Sequence, residues 1–200
     1  MLKFLEIYSI SIGPYGIKTV NEITTYLRDH VKVAGKNVLI IGSESPWIEI
    51  IALNNGASKV TSVDYNGSHH CEDSRMNLIT TKQINERFIK KKLQLFDLVI
   101  SFSSIEHSGL GRYGDSLNPW GDSIAMAKAW CLTKPKGMAL IGIPVGKEDR
   151  IVFNSHRIYG HLMLSHVFAN WHLKHSNMDL TKIQHDCDHC YQPLFLLEKA

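Results

Sequence analysis

The sequence predicts a single α/β domain built on a doubly wound, mostly parallel sheet, and three observations predict it. Apolar, β-branched runs recur at 38–41, 60–63, 96–102 and 138–143, separated by segments with helical spacing. That alternation is the pattern of strands joined by crossover helices. The first run stops at Gly42 and a helix-start signal follows at once, as in a strand–turn–helix crossover. A second apolar strand then ends on an acid, Asp64, 22 positions beyond Gly42. Strand, tight turn, helix, strand and acid form the layout of a nucleotide-binding βαβ unit.

Each element follows from its residues. Val20, Ile23 and Leu27 recur at helical spacing and predict a helix over 18–31 that packs before the first strand, Val38–Ile41. After Gly42, Ser45 suits an N-cap and Pro46 the first helical position, where its missing N–H costs nothing. The helix buries Ile48, Ile51 and Ala52 and ends at Gly56, and the strand Val60–Val63 leads to Asp64. A polar stretch, Asn66–Arg75, precedes a short strand at Asn77–Thr80 and a helix over 83–92. Phe96–Phe102 reads as a central strand, 103–121 as a Gly- and Ser-rich loop, 122–132 as a helix and Met138–Ile143 as the next strand. The last fifty residues break the rhythm, with a helix over 161–169 and strands at 171–176 and Leu194–Leu197. The core is expected over 36–200 of one domain spanning 1–200, with no repeat, low-complexity tract or linker.

Composition bounds the function classes. With 44% apolar and 20% charged residues the chain is ordinary globular material, long enough to bury roughly 70% of its unfolded surface. A net charge of +3 gives no footprint for nucleic acid or an anionic membrane, and neither is expected as a partner. The basic group Arg87, Lys90, Lys91 and Lys92 lacks interleaved aromatics and reads as a solvated helix face. No apolar run approaches the roughly 20 residues of a membrane span, and the apolar N-terminus is broken by Lys3, Glu6, Ser9 and Ser11. Four cysteines, with Cys131 expected on a buried helix, form no disulfide framework. A reduced, intracellular, cytoplasmic setting is the expectation. His185, Cys187, His189 and Cys190 are too crowded to close a tetrahedron and read as a polar surface loop, so no metal is expected.

Three runs carry a resemblance. They are Ile40–Glu49 followed by Val63–Asn66, then Phe102–Asp115, then Val152–Gly160. They resemble the nematode-type domain of unknown function 268, a family related to class I S-adenosylmethionine-dependent methyltransferases, over about 36–170. The resemblance implies a class I methyltransferase-like (Rossmann-like) αβα sandwich closed by an antiparallel C-terminal strand pair. It implies S-adenosylmethionine as cofactor, contacted by Gly42, Ser43, Glu44, Asp64, Tyr65 and Ser103.

Each residue has two readings. Glu44 either meets the ammonium group of the cofactor or faces solvent as an acid in the first helical turn. Asp64 either accepts the ribose hydroxyls or terminates its strand in a turn. Tyr65 either covers the adenine or packs half-buried. The turn disfavours a dinucleotide, because Pro46 removes a backbone N–H and Glu44 repels a pyrophosphate. The loop after the fourth strand holds Ser103, Ser104, Glu106, His107 and Asp115 where ligands bind in doubly wound sheets. His107 titrates near neutrality and either takes a proton from the acceptor or braces the loop with Glu106. His156 and Arg157 follow the fifth strand, so His107 and His156 are expected on one face. Arg112, Tyr113 and Arg157 either recognise a small or sugar-like substrate or, for Arg157, clamp loop carbonyls. The function expected is methyl transfer to an oxygen or nitrogen nucleophile. The alternative is a non-catalytic module whose degenerate turn binds no cofactor.

Overall fold

The computed structural model describes residues 14–64, 73–183 and 192–200. Tyr65, the apolar stretch at the N-terminus and the 185–190 His/Cys run lie outside the described residues. The chain divides into two compact units, Met1–Leu98 and Val99–Ala200.

In the first unit, α1 (Gly16–Thr25) passes into a π-helical turn, Tyr26–Val31, that ends on Lys32 at φ 53°. The wider turn brings Tyr26, Leu27 and Val31 inward together with Ile23. Next come β1 (Asn37–Ile41), α2 (Trp47–Asn54), β2 (Lys59–Asp64), β3 (Met76–Thr80) and α3 (Thr81–Ile89). β2 pairs in parallel with β1, Ile41 opposite Val63, and with β3, Asp64 opposite Thr80. Val38, Leu39 and Ile40 are completely buried. A parallel strand covered on both faces needs such a continuous apolar run, and each such side chain contributes about 1.5–3 kcal/mol by burial.

β4 (Phe96–Phe102) runs from the first unit into the second. The second unit continues with a 3₁₀ turn at Ile105–His107, α4 (Gly121–Leu132) and β5 (Thr133–Gly142). The hairpin β6 (Arg150–Val152) and β7 (His156–Ile158) follows, then α5 (His161–Val167), β8 (Trp171–Ser176) and β9 (Leu194–Lys199). The seven-stranded sheet has the order β3-β2-β1-β4-β5-β9-β8 and is mostly parallel. β9 runs antiparallel to β5 and to β8, with an irregularity between Leu173 and His175. This is the doubly wound, mostly parallel sheet closed by an antiparallel C-terminal strand pair that the sequence predicts.

Five local expectations need correction. Ser45 does not cap α2: its carbonyl accepts the Ser43 hydroxyl at 2.8 Å and the Trp47 N–H at 2.9 Å, and Pro46 takes the cap position with ψ 38°. α3 begins at Thr81 rather than 83, because Thr80 and Gln83 form a reciprocal capping box. β5 begins at Thr133 rather than Met138; Lys134-Pro135-Lys136-Gly137 disguises the strand as a loop. His156 and Arg157 lie on β7 of the hairpin, not in a loop that directly follows the fifth strand. Cys131 is exposed, because the buried stripe of α4 is Asp122, Met126, Ala129 and Leu132. Among the described residues no helix is long and apolar enough to cross a membrane.

Candidate functional site

The turn after β1 is built on Gly42, whose φ of 71° lies where only glycine sits without steric cost. Its N–H donates to Val63 O at 3.0 Å, tying the turn to the end of β2. Ser43 is buried and spends its hydroxyl inside the turn, while Glu44 is exposed. Asp64 ends β2 half-buried, at the carboxyl end of a parallel strand. One acid was not singled out from the sequence: Glu49, 1% exposed in the first turn of α2, accepts the Ser62 hydroxyl at 2.6 Å. Tyr15 packs against Trp47 with ring centroids 5.8 Å apart, beside the start of the same helix.

In the second unit the loop after β4 is folded over a buried polar cluster. Ser103 leaves the strand at φ 50°, its N–H donating to Gly142 O at 2.9 Å. Glu106 then points inward and is completely buried, and among the described residues no group lies within full hydrogen-bond geometry of either carboxyl oxygen. Burial pushes its carboxyl up to about 7, opposed more weakly by nearby Glu106 and Ser104 backbone groups and the Ser103 hydroxyl. Beside it lie Asp122 from α4, Arg157 from β7 and Tyr159, all buried. The Tyr159 hydroxyl donates to Asp122 Oδ2 at 3.0 Å, and Arg157 Nε lies 3.5 Å from the same oxygen. Burial, then the charges of Asp122 and Glu106, raise the Tyr159 phenol well above its ordinary value, so it stays a donor.

Arg157 holds the loop by its carbonyls. Its guanidinium donates to Ser108 O at 2.6 Å, Pro119 O at 3.1 Å, Glu106 O at 3.3 Å and Asn118 O at 3.4 Å. Asp115 braces the same loop, accepting the Gly109 N–H at 2.6 Å and the Tyr113 N–H at 3.4 Å. Gly109 has φ 80°, and a Cβ there would collide with Asn118 O.

Above the cluster, His107, Tyr113 and His156 come together. The His107 ring meets Tyr113 at 5.4 Å and His156 at 6.1 Å, both edge-on. Arg112 lies over Tyr113 at 5.7 Å and donates to Asn154 O and Ser155 Oγ. His107 Nδ1 lies 2.6 Å from Ser155 O, and His156 Nδ1 lies 2.7 Å from Ser155 Oγ. The structure thus gathers Glu106, His107, Arg112, Tyr113, Asp115, His156 and Arg157 in one unit; Gly42, Ser43, Glu44 and Asp64 belong to the other. Asp122, Tyr159 and Ser155 were not singled out from the sequence. Asp122 carried a signal, since an acid at the i, i+4, i+7 spacing of Met126 and Ala129 lies on an apolar stripe.

A family model described as Caenorhabditis protein of unknown function, DUF268, matches residues 35–188, most of the chain. The chain belongs to the DUF268 family. No curated protein matches this DUF268 chain by sequence. Solved structures share its fold. One is the Burkholderia thailandensis 1,6-didemethyltoxoflavin-N1-methyltransferase with bound 1,6-didemethyltoxoflavin and S-adenosylhomocysteine. It is 14% identical with TM-score 0.61, over 90% of this chain and 78% of that one. Another is the Synechocystis magnesium protoporphyrin IX methyltransferase with bound S-adenosylhomocysteine, 10% identical with TM-score 0.60, over 92% and 83%. A matching Streptococcus mutans protein is 14% identical with TM-score 0.56; 90% of this chain aligns, spanning about half, 48%, of that one. At these identities the likeness establishes the fold.

Proposed function

We infer that this DUF268 protein binds S-adenosylmethionine and transfers its methyl group to an oxygen or nitrogen nucleophile. The observation that carries the reading is the turn of the first unit. A left-handed glycine closes β1, and a half-buried carboxylate ends the neighbouring parallel strand. That donor set fits the cofactor. The two oxygens of Asp64 suit two ribose hydroxyls, Glu44 suits an ammonium group, and Pro46 leaves too few N–H groups for a pyrophosphate. Gly42, Ser43, Glu44 and Asp64, with Tyr65 and Ser103, are the residues that would hold it. When bound, the cofactor supplies a methyl group already activated on sulfonium.

The residues of the second unit supply position and a proton acceptor. Tyr113 and Arg112 orient the acceptor, while His107 or His156 takes the proton it releases as its bond to the methyl carbon forms. Glu106 backs His107, and Asp115 and Arg157 keep the loop in shape. Arg157 acts as a clamp in this reading, because its donors already point at loop carbonyls. The acceptor is a small or sugar-like molecule, met in the cytoplasm.

A second reading is a binding module without catalysis. It is favoured by the turn itself, where Ser43 is buried and bonded internally instead of leaving open backbone for a ligand. Equilibrium dialysis with labelled S-adenosylmethionine separates the two. Saturable uptake competed by S-adenosylhomocysteine but not NAD is expected; no uptake by folded protein would leave the binding module.

A further inference from the structure

The hairpin turn Val152–Ser155 closes through the Ser155 N–H on Val152 O at 3.0 Å and holds Phe153 out, 94% exposed. Two side chains of the 105–113 segment grip it. Arg112 donates to Asn154 O at 3.3 Å and Ser155 Oγ at 3.2 Å, and His107 Nδ1 lies 2.6 Å from Ser155 O. A carbonyl oxygen only accepts, so Nδ1 must carry a hydrogen. The neutral ring then has its lone pair on Nε2, and Nε2 faces Glu106 Oε1 at 3.8 Å.

Among the described residues neither Glu106 oxygen has a hydrogen-bond partner, the Ser103 hydroxyl and the backbone at 104 and 106 lying near it with only a weak influence. Arg157 is committed to loop carbonyls and Asp122, the Tyr159 hydroxyl to Asp122, the His156 Nδ1 to the Ser155 hydroxyl, and Asp115 to the Gly109 N–H. A carboxylate facing a lone pair in the interior is repelled, and a single proton between them turns repulsion into attraction. We propose that one proton taken up by the facing His107 Nε2 and Glu106 carboxyl, 3.8 Å apart, pairs the two and so latches the Val152–Ser155 turn, and Phe153 with it, onto the 105–113 loop. With the proton in place, the imidazole is held from both sides and presses its Nδ1–H onto Ser155 O. Without it, the ring turns away from Glu106, and the turn keeps only its Arg112 contacts.

The latch closes at low pH. Because burial holds Glu106 at about 7, the proton is present below neutrality and leaves as the pH rises through it. The device needs no cofactor and stands whether or not the protein transfers methyl groups.

The full chain labelled with 4-fluorophenylalanine tests it, the Phe153 signal being assigned from Phe153→Leu, together with ring-nitrogen NMR of His107. Between about pH 5.5 and 8.5 the Phe153 signal and His107 Nε2 should move with one shared midpoint near neutrality, while Nδ1 stays protonated. In Glu106→Gln the amide can donate to Nε2 at every pH, so the Phe153 signal should stay at its low-pH position throughout. A Phe153 signal that ignores pH in folded wild type overturns the latch. So does a midpoint that survives in Glu106→Gln, or a His107 ring with bare Nδ1. Should Glu106→Gln fail to fold, the shared midpoint in wild type decides alone.

Discussion

Asp64 and Glu106 are both carboxylates, yet their surroundings give them opposite tasks. Asp64 is half-buried at a strand end, where the two oxygens of its side chain suit two hydroxyls. Asp64→Ala should weaken S-adenosylhomocysteine binding by about 1.5–3 kcal/mol in a calorimetric titration, the scale of a charge-assisted hydrogen bond, with little change in unliganded stability. A large loss of unliganded stability would instead make it a turn-forming residue. Glu106 is completely buried, and its folded-state value near 7 lies above the 4.5 of an ordinary glutamate. An acid whose folded-state value is raised binds its proton more tightly when folded. Stability should therefore be highest below about pH 4.5, fall as the pH rises to about 7 and level off above. At about 1.4 kcal/mol per pH unit, the fall amounts to about 3 kcal/mol. Urea unfolding of wild type and Glu106→Gln across that range should show the slope in the former and not the latter.

At the scale of elements, the loop after β4 owes its shape to Arg157, which reaches in from β7, as well as to its own Gly109. Arg157→Ala removes the donors of four carbonyl contacts and leaves the buried Asp122 carboxylate, among the described residues, to the Tyr159 hydroxyl and the Ser123 N–H. A loss of about 3–5 kcal/mol is expected in chemical denaturation, the cost of breaking a buried ion pair. A change under 1 kcal/mol would mean the loop holds itself. Much of this level was legible beforehand: Phe96–Phe102 coincides with β4, because apolar run and strand share their ends, and the strand read at 171–176 is β8. The misplaced boundaries have local causes. Thr80 and Gln83 start α3 through a pair of reciprocal hydrogen bonds three residues apart, which apolar periodicity does not register. Ser45 looked like a cap because its side chain suits the role, but its carbonyl was claimed by Ser43 and Trp47. The cluster beneath the loop was hidden for another reason. Glu106, Asp122 and the Arg157–Tyr159 pair come from three separate segments, and the tertiary fold joins them.

At the scale of the whole molecule, the fold was readable from alternating strands and helices and from the resemblance of three motifs, and the sheet order and family match agree with it. The reaction was not readable in the same way, since the side chains that would choose an acceptor sit on loops whose shape the sheet does not dictate. The proposal to be tested is that this class I methyltransferase-like fold binds S-adenosylmethionine despite a turn with one glycine. A thermal-shift titration tests it most directly. A ligand that binds only the folded chain, at about 100 times its dissociation constant, stabilises by roughly 2.7 kcal/mol. S-adenosylhomocysteine should raise the melting temperature progressively and NAD should not; a flat melting temperature with S-adenosylhomocysteine up to millimolar concentration, on folded protein, would contradict it.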